Sequence, residues 1–140
     1  MNDEPCLCTS LRQAAHTATE IYDRALETSG LKVTMFRVLR RLAEADRPTI
    51  SALARIVDLD RSTLGRNLKV LERDGLIVFN EGEDERAKIV KLTPKGRAAL
   101  EKAKPLWRKA QTKMRATLGK EKDSVLRILA RVNADTGTRA

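Results

Sequence analysis

Residues 50–92 read ISALARIVDLDRSTLGRNLKVLERDGLIVFNEGEDERAKIVKL, and no other stretch limits the fold of this chain so tightly. Apolar residues recur first at helical spacing and then in two short β-branched runs separated by a polar segment holding one glycine. The pattern predicts a helix, a tight connection, a second helix and a charged hairpin. That order is a winged helix-turn-helix, an arrangement that lays its second helix in the major groove of DNA.

The second helix is predicted over 61–73. Asp60 is suited to cap it, because a side-chain oxygen there can accept from an unpaired first-turn N–H. Gly75 is suited to end it in a left-handed turn. Leu64, Leu68 and Leu71 form one buried stripe, and the opposite face carries Ser62, Arg66, Lys69 and Arg73, with Thr63 and Gly65 on its flanks. Such a face is either plain solvated surface or a surface for phosphates and base edges. The preceding helix favours the second reading: Thr49 can cap it, and Leu53, Ala54 and Val57 can pack it on Leu64 and Leu68. Gly65 has two readings, a tolerated defect or a place of close approach, since a mid-helix glycine costs roughly 1 kcal/mol relative to alanine. The DNA-contacting candidates are Arg61, Ser62, Thr63, Arg66, Lys69 and Arg73 on the helix, with Arg86 and Lys88 on the hairpin. An acidic hairpin tip repels phosphate unless arginine is held ahead of it, so an Asp84–Arg86 pair is expected.

These residues resemble the MarR family of bacterial transcriptional regulators. The resemblance rests on LDRSTLGRNLKVLERDGLI (59–77), DER (84–86) and LTPKG (92–96), and in helix order it extends over nearly the whole chain. It implies an obligate homodimer, mostly helical and triangular, that in many members releases DNA on binding a small, often aromatic molecule. It also implies major-groove contacts from Ser62, Thr63, Arg66 and Lys69, and a minor-groove contact from Arg86.

The expected fold class is mainly α with a small β-hairpin wing. One domain covers residues 1–140, with a DNA-binding lobe at 32–92 and dimerisation helices at 9–30 and 93–135. The first helix carries Leu11, Ala15, Ala18, Tyr22 and Leu26 and closes near Gly30. Met35, Val38, Leu39 and Leu42 mark the second, ending before Pro48. Thr93 can cap a long fifth helix with Pro94 at its first position, Pro105 as an interior kink and Gly119 as its stop. A last helix carries Val125, Leu126, Leu129 and Val132. The apolar stripes of the outer helices require cover, which either a second copy or folding back within one chain would supply. A twofold dimer implies a pseudo-palindromic operator with recognition helices about 34 Å apart.

A formal charge of +9 on 140 residues fits a polyanionic partner. Aromatics at 3% argue against single strands held by stacked bases. No apolar run approaches the roughly 20 residues that span a bilayer, and no signal-peptide plan opens the chain, so a cytoplasmic protein is expected. One histidine, no phosphate-cradling loop and no metal-ligand spacing speak against an enzyme, a metal site or a cofactor. The rival class is a constitutive architectural or protein-interaction winged helix; an interaction face should expose large apolar groups where this helix shows Arg66, Lys69 and Arg73, and an architectural protein should bind random-sequence DNA as tightly as any selected site.

Two features are candidates for regulation. In the resembled family an effector pocket lies between the first, second and fifth helices, which points to His16, Tyr22, Met35, Phe36, Arg40 and Trp107; ordinary packing is the alternative for each. Cys6 and Cys8 are either plain reduced thiols or a redox switch, with cross-chain disulfides favoured over tight internal closure. Oxidant-sensing members of the family also place a reactive thiol near the N-terminus.

Overall fold

A computed structural model describes residues 3–45, 47–80 and 88–135. The elements are α1 (Leu7–Leu26), α2 (Val33–Glu44), α3 (Ile50–Val57), α4 (Arg61–Arg73), β1 (Ile77–Asn80), β2 (Ile89–Leu92), α5 (Pro94–Leu118) and α6 (Lys122–Asp135). A single 3-10 turn follows α1 and closes on Gly30 in the left-handed region, and α5 runs unbroken through Pro105.

The two strands pair antiparallel from Ile77 opposite Leu92 to Asn80 opposite Ile89. Beyond this hairpin, Thr49 bridges Ile89, the Val90 N–H donates to the Pro48 carbonyl at 3.0 Å, and the Ile50 N–H donates to Lys88 at 3.3 Å. The segment before α3 therefore acts as a short third strand. Nothing in its sequence has strand periodicity; the chain turns at Arg47, with φ 46°, and the fixed φ of Pro48 suits the extended pairing that follows.

One core holds the lobe together. Phe36, Val38 and Leu39 of α2, Leu53 and Val57 of α3, Leu64, Leu68 and Leu71 of α4, Ile77 and Val90 of the hairpin, and Leu100 of α5 are all sealed from solvent. From α1 only Leu26 joins them, and α6 contributes no buried residue. Leu7, Leu11, Leu126, Ile128, Leu129 and Val132 remain 40–68% exposed. A 14-residue helix such as α6 is marginal alone in water, and its apolar stripe is uncovered within one chain.

The joint between the lobe and α5 is built from two segments far apart in sequence. At the end of α4, Gly75 takes φ +76°, its N–H donates to Glu72, and the Leu76 N–H donates to Leu71. That closes the helix in a Schellman turn. The Thr93 hydroxyl donates to the Gly75 carbonyl at 2.6 Å and accepts from the Gly96 N–H at 2.9 Å, while the Thr93 N–H donates to Leu76 at 3.1 Å. A Cβ on Gly96 would lie 2.0 Å from the Leu76 carbonyl oxygen, so only glycine permits this approach.

Candidate nucleic-acid interface

The turn between α3 and α4 is Asp58, Leu59 and Asp60. Asp58 stands in the left-handed region at φ 57°, a conformation that aspartate tolerates better than bulky residues. Thr49 caps α3 by accepting from the Ala52 N–H at 3.1 Å. Asp60 caps α4 by accepting from the Thr63 N–H at 2.8 Å and from the Thr63 hydroxyl at 2.9 Å. Those two hydrogen bonds, the backbone one foremost, hold the Asp60 carboxyl below its ordinary range.

On α4 the positions of Ser62, Arg66, Lys69 and Arg73 fall within about 60° of one another at 100° per residue, and all four are exposed. Thr63 is not free to act alone, since its hydroxyl is bonded to Asp60 and receives the Arg66 guanidinium at 3.3 Å. This Asp60–Thr63–Arg66 chain lays Arg66 along the first turn of the helix. Arg73 pairs with neighbouring Asp74 at 3.3 Å. Arg61 opens the helix and is exposed, but it falls off the shared face.

Between α4 and the hairpin lies a groove of about 390 Å³, bordered by Ile50, Gly65, Lys69, Glu72, Phe79 and Lys88. The Lys88 ammonium stands 5.8 Å from the Phe79 ring centre. Apart from its chain neighbours and the adjoining backbone of α4, no atom lies within 4 Å of the position a Cβ would take on Gly65, so no packing contact among the described residues demands glycine there. Asp84 and Arg86, with the expected pair between them, lie outside the described residues.

The residues singled out for an effector are only partly gathered. Phe36, buried on α2, stacks on Trp107 of α5 with ring centres 5.7 Å apart and planes at 23°. The Arg40 guanidinium lies 4.7 Å from the same indole and reaches Glu44 at 3.9 Å. Met35 packs partly buried against the core. Tyr22 of α1 donates to the Gln111 side chain of α5. Burial pushes the Tyr22 hydroxyl up, against a weaker opposing pull from Arg115. His16 stands apart, exposed and 3.0 Å from Glu20 on the same helix.

Cys6 is the N-cap residue of α1 and Cys8 lies in its first turn, both exposed. Hydrogen bonding from Thr9, side chain first and then backbone, lowers the Cys6 thiol.

Sequence reasoning passed over several working residues. Asp23 of α1 accepts from the Val33 N–H at 2.7 Å and so caps α2, whose own N-cap residue Lys32 supplies no side-chain cap. Such a cap from another helix leaves no local signature. Gln111 is likewise visible only as a partner of Tyr22. Gly96 did carry a signal: a glycine in the first turn of a helix, in a place where it weakens the helix unless a close approach requires it.

A helix-turn-helix with a charged outer face, a hairpin beside it and long helices flanking both defines the class as a winged helix-turn-helix of the DNA-binding kind. The profile of a helix-turn-helix domain family matches residues 34–78. The M. tuberculosis transcriptional regulator MosR is 39% identical, covering 96% of this chain and 97% of its own, with a TM-score of 0.83. Its structure in complex with DNA gives 41% identity, 96% and 99% coverage and a TM-score of 0.85. The transcriptional repressor CouR bound to p-coumaroyl-CoA is 26% identical, with 91% of each chain covered and a TM-score of 0.82. Among curated proteins no sequence matches the chain. The chain belongs to the MarR family of winged helix-turn-helix transcriptional regulators. Among the described residues no helix is long and apolar enough to cross a membrane.

Proposed function

We propose that this protein is a homodimeric repressor that binds a pseudo-palindromic double-stranded operator in the cytoplasm and lets go when a small molecule or an oxidant acts on its helical half. The observation that carries this reading is the exposed face of α4, where Arg66 is aligned by Asp60 and Thr63, with Ser62 and Lys69 on the same side. Arg66 with Ser62 reads base edges, Lys69, Arg73 and Lys88 neutralise phosphate, and Arg86 reaches the minor groove. Arg61 serves as a backbone contact at the start of the helix, and Thr63 acts mainly by orienting Arg66. MosR has been seen in complex with DNA, which supports the same partner here.

The uncovered stripes of α1 and α6 supply the dimer interface. Leu126, Ile128, Leu129 and Val132 meet their symmetry mates, burying surface that one chain leaves wet. This sets the two α4 helices about one turn of DNA apart.

Control acts on the joints between α1, α2 and α5. Trp107 already holds Phe36 and Arg40, so a small aromatic effector entering beside Met35 and Tyr22 parts Arg40 from the indole and shifts the lobe. CouR is a relative seen with p-coumaroyl-CoA bound. His16, exposed and beside Glu20, serves on the surface of α1. Oxidation is the second route. The lowered Cys6 thiol attacks a hydroperoxide, and a second thiol from the partner chain completes a disulfide. Two thiols give up two electrons and two protons, and the hydroperoxide leaves as water and an alcohol.

Fluorescence anisotropy on duplex DNA from upstream of the gene tests this reading. One dimer per duplex, with affinity falling steeply as salt rises, is expected. Equal affinity for random duplex would favour the architectural reading. Loss of binding under mild peroxide, restored by dithiol, assigns Cys6 and Cys8 as the sensor; indifference to oxidant leaves the aromatic cluster as the control point.

A further inference from the structure

A second pocket lies between α1 and α5, away from the aromatic cluster. It holds about 240 Å³ and is bounded by Ile21, Arg24 and Ala25 on one helix and Lys109, Ala110 and Lys113 on the other. At 100° per residue these positions are turned by about 100° from Tyr22 on α1 and from Trp107 on α5, so the pocket opens in a different direction. Its floor is aliphatic, from Ile21, Ala25 and the buried Ala110. Arg24, Lys109 and Lys113 are exposed. Among the described residues no carboxylate pairs with any of these three cations, whereas Arg40, Arg41, Arg73, Lys104 and Lys122 each have one.

Three unneutralised positive charges around one opening repel one another, and an anion relieves that repulsion. The volume lies below the roughly 300–1,000 Å³ of sites for drug-sized ligands, which favours a short molecule over a nucleotide-bearing one. With no ring in the lining, an aromatic ligand gains no stacking there, while an alkyl chain finds a matching floor. The large exposed apolar side chains of α1 are Leu7 and Leu11, and Leu11 is about 15 Å from Ile21 along the helix.

We infer that this pocket binds a medium-chain aliphatic carboxylate, its head among Arg24, Lys109 and Lys113 and its tail along Ile21, Ala25 and Ala110. The inference deepens the effector-controlled reading above, on which its regulatory meaning rests, by giving a site and a chemical class. A ligand bridging α1 and α5 fixes the spacing of the helices from which both lobes hang.

Trp107, the only tryptophan, precedes Ala110 by about one turn and reports binding by its fluorescence. Titration of the intact protein with octanoate, without DNA, should saturate, while octanol and inorganic phosphate should not do so in the same range. Shortening the chain to hexanoate should weaken binding about fourfold per methylene removed. The Arg24→Gln/Lys113→Gln variant, altered only at exposed positions, should melt like the parent and bind octanoate at least about tenfold more weakly. Absence of saturation by octanoate, phosphate binding as tight as octanoate, or unchanged affinity in the double variant would overturn the inference. Because the titration contains no DNA, failure of operator binding would sink the repressor reading and leave this result standing.

Discussion

Replacing Gly96 by alanine attacks the joint that fixes α5 to the DNA-binding lobe. The new methyl group would sit 2.0 Å from the Leu76 carbonyl oxygen and 2.9 Å from the Leu92 Cδ1. The leucine methyl can rotate away, but the carbonyl belongs to the backbone. Ordinary carbon–oxygen contacts begin near 3.3 Å, so α5 and the Leu76 turn between α4 and β1 must separate by about 1.3 Å. That stretches the Thr93 N–H bond to the same carbonyl, now 3.1 Å, beyond useful length. Overpacking of this kind costs about 1–3 kcal/mol and the lost hydrogen bond about 0.5–1.5 kcal/mol. Alanine returns at most ~1 kcal/mol of helix propensity. The net loss is roughly 2 kcal/mol, or about 8 °C in melting temperature for a chain of this size. Thermal unfolding followed by circular dichroism, at one protein concentration because a dimer is expected, reads it directly. A Gly96→Ala variant that melts at or above the parent temperature would refute the argument.

The other helical glycine should behave in the opposite way. Gly65→Ala meets no atom within 4 Å outside its own helix backbone, so the variant should melt a few degrees higher, gaining up to ~1 kcal/mol, and yet bind operator more weakly if DNA approaches there. Unchanged operator affinity would make Gly65 a tolerated defect. Leu126 and Leu129 are about half exposed in one chain, and covering the remaining area in a dimer contributes about 1 kcal/mol for each leucine. Leu126→Glu/Leu129→Glu, which alters four leucines per dimer, should therefore shift sedimentation to monomer at concentrations where the parent is dimeric, and a dimer of parental strength would place the interface elsewhere. The Asp60 carboxyl is held below its ordinary range, so its contribution to α4 is complete above that range and disappears as pH falls through the lowered value. Melting temperatures across an acid series should fall more for the parent than for Asp60→Asn, and parallel curves would show that the cap does not titrate.

Much of this architecture is legible in the sequence because its signals are local. The Asp60 cap, the Leu64, Leu68 and Leu71 stripe and the Gly75 stop lie within one helix, and the structure places α4 at the residues they mark. Thr93, Pro94 and Gly119 delimit α5 in the same way. What the sequence hides is contact between distant segments. Asp23 capping α2, Pro48 pairing with β2 and Leu76 meeting Gly96 each depend on tertiary geometry. The candidate interface divides along the same line: the shared face of Ser62, Arg66, Lys69 and Arg73 follows from helical periodicity, whereas the bonding of Thr63 to Asp60 and Arg66 does not. Periodicity also could not show that Phe36, Arg40 and Trp107 occupy one another, with His16 left outside.

The central claim is that α4 reads duplex DNA through Arg66. Anisotropy titrations of the parent and of Arg66→Ala, each against the upstream duplex and a scrambled duplex of equal length, test it most directly. The account predicts that the parent prefers the upstream duplex by about a thousandfold or more. The variant should lose roughly five- to 150-fold of that preference at each half-site, at about 1–3 kcal/mol per contact, while melting like the parent. A variant that keeps the parental preference, or a parent that binds both duplexes alike, would contradict it.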